Sequence, residues 1–421
     1  MTGEAGIPKG KHAWQATQTR SVTIVCTLFF LAYLGNSLWL SLFPNYLLRL
    51  GMSSVSIGVT LMVYNASLSL AFLPSGRLSD SLGRRPMIVA GSALLALSTL
   101  FLGLVNQPSL TLAAVVGSGI GLALLVPSGN ALVSDIVSGH GSGLVFALYQ
   151  IATLSGAVVG SFTAGRLAES IGFSSMFFVS AGFGGITSIL GYTTIPETLA
   201  ARTGKFASAV TESLRSSVSG TARMLRSNSE LAILTGALVV HVVSFSMINP
   251  FIPLFAEKGI GLDIAQVGMI IGIWNAGVAI AQIPSGHLTD RFGARALLLV
   301  HFVLSSFSWT IYAWSWNFES GIAAMLFFGV VAALDMPARR TLMIEFASAK
   351  AGKATVIGSL DAITGTVGIV GPVIGGLAWA HIGYAGPFEL AGLINAFACL
   401  PLIVAMRRRV SSHSPSSASG T

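Results

Sequence analysis

Runs of mainly apolar residues alternate along this chain with short polar intervals. Twelve runs fall at about 21–45, 54–75, 86–105, 110–134, 143–168, 174–195, 231–254, 264–284, 295–316, 321–344, 354–380 and 387–406. A helix rising 1.5 Å per residue needs about 20 residues to cross the roughly 30 Å hydrocarbon core of a bilayer. A spanning strand needs only about ten. These runs are continuously apolar and much longer than that, so they predict twelve transmembrane helices: an all-α membrane protein, not a barrel.

The polar intervals divide the chain into an N-terminal segment (1–20), a six-helix bundle (21–196), a linker (197–230), a second six-helix bundle (231–406) and a tail (407–421). The first twenty residues lack a small-residue cleavage site, which predicts a retained first helix. The linker spaces basic residues among Ser, Thr and Ala. It reads either as a helical connector on the inner leaflet or as a regulatory, lipid-binding segment. The Ser-rich end of the tail predicts disorder.

Composition fits a bilayer. Charged residues are 9% of 421 and hydrophobic ones 53%, with a mean hydropathy of +0.78; a soluble surface needs far more charge. The net charge of +8 could suggest nucleic acid, but its distribution is a topology signal. If the N-terminus is inside, 20 of the 23 Lys and Arg fall on the cytoplasmic side, and only Arg49, Arg166 and Lys258 fall outside. The positive-inside rule then predicts that both termini are cytoplasmic, in a cell-membrane protein that does not bind nucleic acid. Cys26 and Cys399 lie inside apolar runs as packing thiols.

One polar segment is written twice. Pro74 to Pro86 (PSGRLSDSLGRRP) recurs 210 positions later, from Pro284 to Ala296 (PSGHLTDRFGARA), with seven of thirteen positions identical. At the same offset Gly58 matches Gly268, Tyr64-Asn65 matches Trp274-Asn275, Pro127 matches Pro337 and Asp135 matches Glu345. After a one-residue shift, Gly160 and Gly165 match Gly371 and Gly376. Two parallel six-helix repeats in lipid are the usual plan of a solute transporter.

On these residues the chain resembles the major facilitator superfamily over essentially its whole length. Gly76 to Arg85 is similar to that family's loop motif between helices 2 and 3. Leu34-Gly35 before Pro44, the Gly-Pro-Val-Ile-Gly-Gly run at 371–376 and Pro196-Glu197-Thr198 resemble the 12-helix drug:proton antiporter branch. The resemblance implies proton-coupled efflux of an apolar or amphipathic compound by alternating access, with one chain forming a complete path. Uptake of a sugar or organic acid, proton-linked or passive, is the alternative. Two positions depart from the branch. Ser161 and Ala164 stand where helix 5 usually carries its Pro and first Gly, and Val115 stands where helix 4 often carries Arg.

Several residues are candidates for the chemistry. Gly76 and Gly286 remove side chains where helices approach. Gly83 and Gly293 belong to the same loops. Asp80 and Asp290 precede helices 3 and 9, where a carboxylate can cap free N–H groups. Arg84 and Arg85 can reach Asp135, and Arg295 can reach Glu345. These pairs read either as a cytoplasmic latch, made when the protein opens outward, or as solvated topology signals. Inside the spans, Asp335, Arg339 and Asp361 can form a charged cluster, either for proton coupling or as a permanent ion pair. His241 reads as a proton carrier or a satisfied core histidine. Asn36, Trp39, Tyr64, Asn65, Tyr149, Gln150, Asn249, Trp274, Asn275 and Gln282, with Arg339, are candidates for the substrate cavity. The resemblance implies that helices 3, 6, 9 and 12 are peripheral, which discounts Trp309 and Tyr312. No phosphate loop, zinc-binding His pair or nucleophile elbow occurs, so neither an enzyme nor a cofactor or metal is expected.

Overall fold

A computed structural model describes residues 9–136, 142–198, 226, 229–345 and 353–397. Most of the expected linker (199–225) and the whole tail (407–421) lie outside the described residues. Among the described residues there is no strand. Span 1 is Lys9–Leu40, continued by Phe43–Arg49. Spans 2, 3 and 4 are Ser54–Leu82, Arg84–Leu104 and Pro108–Ile136. The unbroken stretch Ser142–Thr194 is too long for one crossing, and Gly172 turns it at φ 82°, giving spans 5 and 6. Span 7 is Ser229–Ile248, continued by Phe251–Lys258; spans 8 and 9 are Ile264–Phe292 and Ala294–Ala313. Span 10 is Phe318–Ala332 with Asp335–Glu345, and span 11 is Lys353–Gly368 with Gly371–His381. A helix over 386–397 begins span 12. Ten of these stretches, the double one counted once, are long and apolar enough to cross a membrane.

The duplication is visible in the backbone. Span 2 starts at the N-cap Ser53, which accepts from the Ser56 N–H; span 8 starts at Asp263, which accepts from the Gln266 N–H at 2.7 Å. Spans 1 and 7 both break near the same depth, at Ser41-Leu42 and Asn249-Pro250. Pro44, Pro250 and Pro253 cluster there, and a proline lacks the N–H that would continue the ladder.

The halves meet along two matching seams, span 2 with span 11 and span 8 with span 5. A Cβ on Gly376 would lie 2.9 Å from the Val55 Cα, and one on Gly165 would lie 2.8 Å from the Ala265 Cα. Gly58 abuts the backbone of Pro372 and Val373, and Gly268 abuts Gly165 and Ser161. The repeated glycines thus let one backbone lie directly on another.

These seams lie at the end of the molecule away from the repeated loops. There a single apolar core crosses both halves, taking in Trp39, Phe43, Tyr46, Phe251, Phe255 and Tyr312. Toward the loops the core divides. One cluster around Phe29, Leu95 and Leu132 belongs to the first half, and another around Leu234, Phe302 and Leu342 to the second. The molecule is joined at the far end and split at the loop end.

Candidate functional site

A cavity of about 280 Å³ lies between the halves, bordering the shared core. That is near the lower bound of about 300 Å³ for small-molecule sites. The broken spans supply Leu40, Ser41, Pro44, Asn249, Pro250 and Pro253, and the repeat supplies Tyr64-Asn65 and Trp274-Asn275. No charged residue lines it. Asn275 donates to the Ser161 hydroxyl at 3.0 Å, and Ser161 shares a hydrogen bond with Ser41 at 2.9 Å, a polar bridge across the halves. Among the described residues, the Tyr64 hydroxyl and the Trp274 indole N–H have no hydrogen-bond partner. Both atoms are buried away from the cavity surface, and an unpaired buried polar group costs about 1–3 kcal/mol.

Beyond the cavity a second cross-half tie closes the far end. Asn45, fully buried, donates to the Pro253 carbonyl at 3.1 Å and to the Glu257 carboxylate at 2.7 Å. Arg49 approaches the same carboxylate at 4.0 Å, and Lys258 at 3.3 Å.

Other cavity candidates stand elsewhere. Trp39 donates to Asn36 at 3.3 Å, and both line a space of about 10 Å³ inside the first half. Tyr149 is buried edge-on against Phe29 in that half's own core. Gln150 is exposed, Gln282 is half-buried, and neither touches the cavity. Arg339 is held by Asp335 at 2.9 Å, away from it. Periodicity places these residues on spans, but the rotation of each span about its axis decides which face meets the other half.

The loop residues also differ from expectation. Asp80 is not a cap, since it lies in the last turn of span 2 and pairs with Arg84 one turn on. Arg84 also donates to Asp135 at 3.1 Å and to Ser79 at 3.1 Å. The anion at the start of span 3 is Glu197, whose carboxylate accepts from the Arg84 backbone N–H at 3.0 Å. Gly83, at φ 112°, leaves room for that carboxylate. Arg85 does not reach Asp135; it lies over the Tyr192 ring, 4.6 Å from its centre. Thr198 donates to Asp135 at 2.8 Å, so the chain leaving span 6 folds back onto the loop. Every one of these pairs joins residues of the same half. They brace one bundle and are made while the far end is closed.

In the second half Arg295 pairs with Glu230 at 3.5 Å rather than with Glu345. At the repeat offset Glu230 corresponds to Arg20, so this partner has no acidic counterpart in the first half. Asp290 and Glu345 are exposed, and Gly293 turns the loop at φ 85°. A Cβ on Gly76 or Gly286 would meet nothing within 4 Å, so neither marks a close approach in this conformation.

The expected charged cluster is two pairs. Asp335 holds Arg339, and Asp361 holds Arg340 at 2.7 Å, the second pair more exposed than the first. His241 is buried against His301 of span 9 and Asn395 of span 12. Sequence reasoning gave no site role to Glu197, Glu230, Arg340, Ser161, His301 and Asn395. Their one signal is polarity beside or within an apolar run, and His301 lies in a span expected to be peripheral.

The sequence profile described as Major Facilitator Superfamily matches residues 25–241 and again 234–421. The multidrug resistance protein MdtG of Enterobacter lignolyticus is 25% identical over 408 residues, covering 92% of this chain and 93% of its own. Multidrug resistance protein 2 of Bacillus subtilis is 22% identical, covering 88% and 91%. The cephamycin export protein CmcT of Amycolatopsis lactamdurans is 26% identical over 186 residues, 44% of this chain and 38% of its own. Among solved structures, the nucleoside transporter NupG superposes with a TM-score of 0.78 at 14% identity, covering 92% of this chain and 99% of that one. The human organic anion transporter MFSD10 superposes with a TM-score of 0.65 at 18% identity, covering 91% and 99%.

Proposed function

Because this chain belongs to the Major Facilitator Superfamily, and is a multi-pass membrane transporter rather than an enzyme, we propose that it exports apolar or amphipathic small molecules across the plasma membrane in exchange for protons. The multidrug resistance proteins among its full-length relatives, and the cephamycin export protein that matches 44% of this chain, support the direction. The uncharged cavity, lined by Ser and Asn side chains beside Tyr64, Trp274 and aliphatic residues, supports an amphipathic substrate.

The observation that carries the reading is the core, joined across the halves at one end and divided at the other. With basic residues concentrated at the loop end, that end faces the cytoplasm, together with both termini. The molecule is therefore in its inward-facing form. Export requires the opposite form too, in which the glycine seams part and the loop ends close. Gly76 lies 18 residues from Gly58, and Gly286 lies 18 from Gly268. Eighteen residues make five full turns, so each pair shares a helix face. Closing the loop end brings Gly76 toward span 11 and Gly286 toward span 5, where an absent side chain matters. Proton coupling falls to the second half's ionisable residues, because the first half's matching positions are Leu125 for Asp335 and Gln150 for Asp361.

Reconstitution into vesicles tests this, using neutral, cationic and anionic amphipathic dyes beside a sugar and a nucleoside, with and without an imposed pH gradient. At least one dye is expected to move against its own gradient only when protons flow the other way, and the sugar and nucleoside are not. Transport of the best substrate that ignores the pH gradient would remove the proton-coupled reading.

A further inference from the structure

The second half holds a buried polar cluster apart from the cavity. His241 on span 7 and His301 on span 9 are 7% and 2% exposed, and their Nε2 atoms face each other at 3.2 Å. Donors and acceptors around them can be counted. The Asn395 amide nitrogen donates to the Phe302 carbonyl at 2.9 Å and to the Ser306 hydroxyl at 3.0 Å, which fixes the orientation of its amide. Its oxygen therefore faces His241 Nδ1, at 2.9 Å, and an acceptor there requires a proton on that nitrogen. His301 Nδ1 faces the Val331 carbonyl at 2.9 Å, a group that only accepts, so it too carries a proton; the Ser305 hydroxyl at 3.4 Å can accept beside it.

A neutral imidazole has one N–H. Two neutral rings with both Nδ1 atoms protonated would set two bare lone pairs against each other. One additional proton makes one Nε2 the donor and the other the acceptor, and gives the pair a single positive charge. The charged groups whose fields reach both rings are Asp335 and Arg339 of span 10. Arg340 acts on Asp335 in turn, and Asp361 of span 11 holds Arg340. Span 12 presents the neutral Asn395. One oxygen of Asp335 holds Arg339, while the other is buried without a hydrogen-bond partner among the described residues.

We propose that His241 and His301 form a binding site for one proton, shared between their Nε2 atoms with Asp335 as counter-charge, and that this is the proton exchanged during transport. The second clause rests on the exporter reading above. The proton comes from bulk water, bonds to one Nε2 lone pair and leaves by the same bond, so only the charge of the pair changes. Its loss sets the lone pairs in opposition and drives the rings apart. That displacement has a packed route to the cavity wall. His241 stacks on Trp309 at 5.6 Å, Trp309 meets Phe328 at 6.2 Å, and Phe328 meets Trp274 at 5.7 Å. The scaffold does not require the pair, because at the repeat offset the same positions are Leu31 and Gly91.

Nitrogen NMR of the full chain in lipid nanodiscs, with labelled imidazoles, reads the site without any substrate. The wild type is expected to show one doubly protonated ring for the two buried histidines near neutral pH. A single proton should leave that ring in one step as pH rises. His241→Gln and His301→Gln should each erase that signal. Two neutral rings throughout, or two protons binding independently, would overturn the site, and the wild-type spectrum alone decides this. In vesicles, His301→Gln should still exchange the best dye without a pH gradient but lose accumulation against one; unchanged accumulation would overturn the coupling role. A shared proton in a wild type whose transport ignores the pH gradient would keep the site, overturn its coupling role and refute the exporter reading separately.

Discussion

Arg84 and Arg85 are adjacent, yet neighbours on a helix point about 100° apart. Arg84 turns inward among Asp80, Asp135 and Ser79, with a side chain 11% exposed. Arg85 turns out over Tyr192. Arg84→Ala should cost about 1.5–3 kcal/mol, as loss of charge-assisted hydrogen bonds does. Arg85→Ala should cost about 0.5–1 kcal/mol, the scale of an exposed cation–π contact. Thermal unfolding in one detergent checks the order: Arg84→Ala melts well below Arg85→Ala, and equal melting points contradict it. The sequence shows that a basic pair faces an acid across the loop. It does not show which arginine turns inward, because that depends on the phase of span 3 set by Gly83 and Glu197. Glu230 for Arg295 was illegible for a related reason: the repeat points to the symmetric partner, and this half does not use it.

At the scale of whole spans, four glycines should act in two opposite ways. Gly165 and Gly376 close the far seams in this conformation, while Gly76 and Gly286 face open space. Gly165→Leu or Gly376→Leu forces a side chain into backbone and should destabilise this form by about 1–3 kcal/mol, the usual scale of overpacking. Gly76→Leu or Gly286→Leu should leave that form's stability nearly unchanged while hindering closure of the loop end, so transport falls without a loss of melting temperature. Thermal melts and dye transport on the same samples separate the pairs. Equal destabilisation by all four would refute the assignment. The seams were legible because glycines recurred at matching positions in both halves. The breaks within spans 1, 7, 10 and 11 were not, because a proline alone does not mark one: Pro74, Pro127 and Pro284 lie inside helices that continue past them.

Across the whole molecule a duplicated scaffold carries chemistry that is not duplicated. The seams, caps, the breaks in spans 1 and 7 and the Tyr64-Asn65 and Trp274-Asn275 pairs occur twice, and the histidine pair and the Asp335 and Asp361 ion pairs occur once. Two similar halves around one cavity can rock between two related arrangements, and an unmatched charge in one half lets a proton bias them. Internal repetition made the symmetric part readable from sequence. The asymmetric part needed the packing of spans 7, 9, 10 and 12, which no repeat encodes.

The central claim is that the two ends open in turn, and paired spin-label distances test it most directly. Leu82 and Phe292 are exposed matching positions at the loop end; Glu169 and Ala380 are exposed matching positions at the far end. With Cys26 and Cys399 replaced, cysteines at each pair report the separation of the halves in nanodiscs. On adding a transported dye and raising the pH, the loop-end distance should shorten while the far-end distance lengthens, in the same fraction of molecules. Both distances changing in the same direction, or neither changing on that treatment, would contradict the account.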